Sequence, residues 1–115
     1  MRALYITVNN AAIGHFGSIL QVPIDDIVNV FNVDVFGPIR LMQIIVPHMP
    51  KGGRIINIGS IASKLGLANL PVYGAAKAAM DTLTFSMSQE VCCESTQVPT
   101  LLTLLIANYD ETAWS

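Results

Sequence analysis

With 115 residues, the chain makes one small domain at most, and a compact chain of this size buries roughly two-thirds of its unfolded surface. Hydrophobic residues make up 52% and charged residues 12%, about half the usual charged share; so few residues to coat an exterior point to interior elements of a larger fold or assembly. The formal net charge of −2 gives no electrostatic reason to expect nucleic acid as a partner.

The first residues, Met1 to Val8, carry one basic side chain and no small-residue cleavage site, so they read as a strand rather than a signal peptide. Within them Leu4 to Val8 is short, apolar and β-branched, the pattern of a buried parallel strand. Asn9-Asn10-Ala11-Ala12-Ile13-Gly14 follows as a loop, and its asparagines are compatible with ordinary turn chemistry. His15 lies in a Gly-rich loop without a second ligand candidate nearby and is expected to face solvent. Pro23 to Phe36 reads as a helix, with Asp25 and Asp26 in the first turn where the helix dipole favours acids. Gly37-Pro38 is expected to kink it, because proline removes a backbone donor.

The helix is expected to resume from Ile39 to about Val46 and to stop near Pro47 and Pro50. Ile39, Leu41, Met42, Ile44, Ile45 and Val46 surround it almost completely, and a helix apolar all round is buried on two sides. The apolar runs here are short or interrupted by Arg40, which argues against a bilayer span. Arg54 to Ile58 reads as a second strand, and Tyr73 to about Val91 as a long helix. Ala75, Ala76, Ala78 and Ala79 let that helix pack closely, while Asp81, Gln89 and Glu90 read as its polar side. Met42, Met49, Met80 and Met87 read as adaptable core filler. Cys92 and Cys93 are adjacent and have no partner cysteines, so neither a disulfide nor a metal centre is expected, and a reducing cytoplasm is the expected setting. Leu101 to Ile106 reads as a third strand, and Asn108 to Ser115 shows no pattern. The order β-α-β-α-β, with right-handed crossovers, predicts a three-stranded parallel sheet.

The chemistry-bearing stretch runs from Asn57 to Lys77. Ser60 leaves the second strand, at the end where α/β sheets place their ligands. Tyr73 and Lys77 are four residues apart, so they share one helix face. A hydroxyl, a phenol and an ammonium can therefore meet in one cleft, a proton-transfer site for a carbonyl or an alcohol. Tyr-x-x-x-Lys alone is weak, starting by chance roughly once in several hundred positions. By itself the pair reads rather as an exposed helix whose lysine covers a tyrosine ring.

Ser60 placed 13 positions before Tyr73, the Gly52-Gly53-Arg54 strand entry and Asn9-Asn10-Ala11 after an earlier strand together resemble the short-chain dehydrogenase/reductase family in its Ser-Tyr-Lys form. The resemblance runs from Leu4 to about Val91 and matches only the middle of a family member. It implies a three-layer Rossmann-like α/β fold of which residues 1–115 hold the second half, a partial NAD(P)-binding domain. It also implies hydride transfer between NAD or NADP and a small carbonyl or alcohol substrate, of ketoreductase flavour. Tyr73 would be the general acid in reduction and the base in oxidation. Lys77 would favour its phenolate and hold the nicotinamide ribose, and Ser60 would bind the substrate oxygen. Asn9, Asn10 and Ala11 would border the adenine side of the cofactor. A homo-oligomer paired through the two long helices is expected, with no membrane or nucleic-acid partner.

The chain departs from the family pattern in places. No Gly-x-x-x-Gly-x-Gly loop occurs in it, and the residues that select NAD over NADP and the Pro-Gly after the third strand are not seen. Ala12 stands where the family has glycine, which costs about 1 kcal/mol if that position needs positive φ. Aligned on Gly37, Asp34 occupies the position of the family's Asn that holds a relay water; otherwise it reads as a solvated carboxylate. Two functions follow as expectations. One is an oxidoreductase, impaired as this fragment; the other is a non-catalytic interaction module using the two helices.

Overall fold

The computed structural model describes residues 3–50, 52–93 and 100–106. Strand β1 (Ile6–Asn9) leads through a loop into helix α1 (Ile24–Phe31). A π-helical turn, Asn32–Phe36, joins α1 to helix α2 (Gly37–Ile45), which ends in a 3₁₀ turn, Val46–His48. Strand β2 (Arg54–Ser60) is followed by a short helix, α3 (Ala62–Leu65), the long helix α4 (Pro71–Cys93) and strand β3 (Thr100–Ile106). The sheet is parallel throughout, in the order β1-β2-β3. This is the expected β-α-β-α-β arrangement, with α3 added. The sequence tail and the Cys92 and Cys93 side chains lie outside the described residues.

Alternation along β2 sets the layers. Ile55, Asn57 and Gly59 are buried, while Arg54, Ile56, Ile58 and Ser60 on the other face are more open, as a period of two requires. Thr7 and Asn9 of β1 pair in register with Ile55 and Asn57. Helix α4 packs on β2 and β3 and touches α1 and the π turn. The described residues thus supply the sheet and one helical layer. Between them lies a core of Val30, Val35, Met42, Met49, Ile55, Val72, Ala76 and Met80. Met87 packs at its margin, so the methionines fill space as their flexibility suggests.

The helix does not break at Gly37-Pro38. It continues from Ile24 to His48, because the π turn ahead of the proline shifts the hydrogen-bond pattern by one residue. The Gly37 N–H bonds the Asn32 carbonyl, and Pro38 falls in the first turn of α2, where its missing donor matters least. The 25-residue span is long and apolar enough to cross a membrane by length and composition. Reading it as two interrupted runs missed this. Here Val30, Asp34, Val35 and Met42 turn inward from it and are buried.

β1 lies at the sheet edge, and Leu4, Tyr5, Ile6 and Val8 are each at least 44% exposed. Phe36, Leu41 and Ile44 on the long helix are exposed as well. An unpaired apolar edge templates pairing with another chain, and exposed apolar surface favours association. The 115-residue chain is therefore expected to self-associate at tens of micromolar. Multi-angle light scattering checks this, and a monodisperse monomer contradicts it.

Candidate active site

Lys77 is the centre of the site. It lies in the second turn of α4 with only 6% of its surface exposed. Its Nζ donates to the Ile58 carbonyl of β2 at 3.0 Å and sits 5.6 Å from the centre of the Tyr73 ring. The four-residue spacing thus brings the two together on one helix face, as helical geometry demands. Burial pushes the Lys77 ammonium below its ordinary 10.5, opposed by the charges of Asp34 and Asp81.

Tyr73 is half-buried. Gly14, in the loop after β1, comes against its ring: a Cβ on Gly14 would lie 3.4 Å from Tyr73 Cδ2. Among the described residues the Tyr73 hydroxyl makes no hydrogen bond within the protein. Ser60 ends β2, two residues beyond the carbonyl that holds Lys77. Its Oγ accepts the Ala62 N–H at 3.2 Å, which leaves its one proton to donate elsewhere. The turn after Ser60 runs close against α4 beside Tyr73. A Cβ on Gly74 would meet the Ala62 carbonyl oxygen at 2.9 Å, so only glycine admits this approach without a shift.

Asp34 is not a solvated carboxylate. It lies in the π turn, 3% exposed, and its Oδ1 accepts the Ile13 N–H at 2.8 Å. Its Oδ2 is buried without a hydrogen-bond partner. Burial raises its affinity for a proton above the ordinary value of 3.8, against the Ile13 hydrogen bond and the Lys77 charge, which act the other way.

Asn9 Nδ2 donates to Asn57 Oδ1 at 2.7 Å, and Asn57 Nδ2 donates to Thr84 Oγ1 at 2.9 Å; Thr84 Oγ1 in turn donates to the Met80 carbonyl. This polar chain ties β1, β2 and α4 together through groups that burial obliges to pair. Asn9 also lines a cavity of about 230 Å³, together with Asn10, Ala11, Val33, Gly37 and Leu41. Ala12 carries no strain, because the one described non-glycine residue with positive φ is Asn69.

Two sequence expectations need correcting. His15 is not simply solvent-facing: its Nδ1 lies 3.3 Å from Asp26 Oδ2. Asp81 is not on a polar surface but 5% exposed, held by Ser63 and Lys64. Nothing in the local sequence distinguishes Asp81 from an exposed helix acid, since the group covering it is α3, an element too short to be periodic.

The residues present suit the nicotinamide end of a dinucleotide. Lys77 has two N–H donors beyond the one given to Ile58, the Tyr73 ring lies beside it, and Ser60 ends the strand that holds it with a hydroxyl proton still to donate. Comparison with known proteins agrees. The short chain dehydrogenase family profile matches residues 1–103. A short chain dehydrogenase of Penicillium thymicola is 38% identical over 88 residues, covering 72% of this chain and 32% of its own length. The structure of an angucycline C-6 ketoreductase with bound NADP superposes with a TM-score of 0.81 at 26% identity, covering 88% of this chain and 38% of that one. A short chain dehydrogenase/reductase from Burkholderia phymatum in complex with NAD gives 0.82 at 25% identity, covering 90% and 38%. The chain spans about a third of the length of the curated relatives it matches. With its Rossmann-like parallel sheet, this chain belongs to the short chain dehydrogenase family of NAD(P) oxidoreductases.

Proposed function

We propose that residues 1–115 carry the proton-transfer half of a ketoreductase-like site that interconverts a small carbonyl compound and its alcohol. The observation that carries the reading is buried Lys77, bonded to the end of β2 with the Tyr73 ring beside it. A nicotinamide, when bound, supplies or accepts the hydride. The protein's own groups then move the proton and hold the oxygen. In reduction Tyr73 gives its phenolic proton to the carbonyl oxygen, with the Lys77 ammonium beside its ring. Ser60 donates its free proton to the same oxygen and stabilises charge developing there. In oxidation the Tyr73 phenolate takes the proton from the alcohol. Lys77 would also hold the nicotinamide ribose, and Asn9, Asn10 and Ala11 would border the adenine side.

The exposed side of α2 and α4 supports the expected pairing of two copies. An open groove of about 560 Å³ runs between these helices, lined by Ile39, Gln43, Ala79, Leu83 and Met87. A second reading, a non-catalytic interaction module, draws on this groove and on the open β1 edge. Dinucleotide binding and ketone turnover, measured on the chain alone and joined to a nucleotide-binding half, separate the two. The 115-residue chain alone is expected to bind NAD or NADP weakly or undetectably by calorimetry, since its sequence has no glycine-rich turn to hold the pyrophosphate at a helix N-terminus. Joined to a family nucleotide-binding half that contains such a turn, it is expected to bind NADP or NAD and to reduce a test ketone. Binding without turnover favours the interaction module.

A further inference from the structure

We propose that Asp81 is a positioning residue for Ser60: through Ser63 it clamps α3 to α4 and so holds the end of β2 beside Tyr73 and Lys77. This deepens the proposed function and rests on its placement of Ser60. Helix α3 has only four residues, too few to hold itself by its own hydrogen bonds. Its neighbours must therefore hold it. The Ser63 hydroxyl lies 2.7 Å from the Ser60 carbonyl and 2.7 Å from Asp81 Oδ2, so one proton links the strand end to α4. Lys64 Nζ approaches the same Oδ2 at 3.2 Å but is itself 56% exposed, which leaves Ser63 as the buried contact. Ser60 Oγ accepts the Ala62 N–H, and Ala62 lies against Gly74. From Ser63, which Asp81 holds, the links back to Ser60 lie within one turn of chain.

The placement of Asp81 argues against an incidental surface acid. It sits one helical turn after Lys77, on the same face, 5% exposed. Its Oδ1 is buried with no partner. A carboxylate so enclosed is unfavourable unless its other oxygen is well used. That use is the Ser63 hydrogen bond, with the exposed Lys64 ammonium as a second partner on the same oxygen.

The test reads the clamp directly, by residue-resolved hydrogen exchange on the 115-residue chain and its Asp81→Ala, Asp81→Asn and Ser63→Ala variants. The Ala62 amide bonds Ser60 Oγ, and the Lys64 and Leu65 amides bond the Ile61 carbonyl. These three are expected to exchange about 10-fold faster or more in Asp81→Ala and Ser63→Ala, as local opening becomes easier. Asp81→Asn keeps an acceptor oxygen for Ser63 and is expected to restore protection to within about 3-fold of the parent chain. The Ile27 amide, bonded to Pro23 in α1, serves as the control and stays unchanged. Equal exchange in the parent and Ser63→Ala chains overturns the proposal. So does exchange in Asp81→Asn as fast as in Asp81→Ala, or acceleration spreading to Ile27. Ser63→Ala keeps the test alive if Asp81→Ala does not fold. Because exchange needs neither cofactor nor substrate, a joined protein that fails to reduce the test ketone sinks the proposed chemistry and leaves this result standing.

Discussion

Tyr73→Phe is expected to lower kcat by about 10²- to 10⁴-fold, the usual contribution of a positioned general acid or base. The effect should be seen when residues 1–115 are joined to a nucleotide-binding half and carbonyl reduction is followed by NADPH absorbance. The substitution is unusually clean. Among the described residues the Tyr73 hydroxyl makes no hydrogen bond within the protein, so its loss leaves no partner unsatisfied. The ring keeps its place between Gly14 and Lys77. Stability, read by urea denaturation, should therefore shift by no more than about 0.5 kcal/mol. Loss of turnover at unchanged stability locates the effect in the chemistry. Unchanged turnover would mean that another group supplies the proton.

Asp34→Asn is expected to raise both stability at neutral pH and turnover in the joined protein. Folding buries Asp34 and raises its affinity for a proton, with the Ile13 hydrogen bond and the Lys77 charge only opposing that shift. The folded state therefore holds a proton more readily than the unfolded state does. Stability is lost as pH rises from the ordinary value of 3.8 through the higher folded value, because burial disfavours the carboxylate. An amide carries no charge and can still accept from Ile13. The variant should gain on the order of 1 kcal/mol at pH 7, or several degrees in Tm for a chain of this size. That gain should shrink as the pH falls toward 4. Thermal denaturation between pH 4 and pH 8 checks this; a gain independent of pH would show that the charge of Asp34 is not the cause.

The kinetic effect of the same substitution follows from donors and acceptors. An ionised Asp34 attracts the Lys77 ammonium and accepts hydrogen bonds but donates none. An amide restores a donor where the family carries Asn. Proton return to Tyr73 should quicken, raising kcat about 10-fold while KM changes less. Steady-state kinetics with and without the substitution decide it. An unchanged kcat would place the slow step elsewhere.

Much of the fold was legible because it rests on short-range periodicity. A short apolar run marked Arg54 to Ile58 as a strand, and β2 runs two residues further because Gly59 and Ser60 continue the pairing with β3. Residues four apart must share a helix face, so Tyr73 and Lys77 could be paired from spacing alone. β-branched runs separated by long helical segments implied parallel crossovers, and the sheet order β1-β2-β3 follows. What escaped depends on contacts between distant segments. Proline chemistry predicted a kink at Pro38, but the π turn at Asn32–Phe36 absorbs the missing donor, and its inward turn carries Asp34 to the Ile13 amide. Asp81 looked like a surface acid until α3, a four-residue helix with no periodic signature, covered it. His15 had no visible partner until the loop brought it to Asp26 on α1. Spacing decides which side chains share an element. Which carboxylates lose their water is decided only when separate elements pack together, because desolvation depends on neighbours that are remote along the chain.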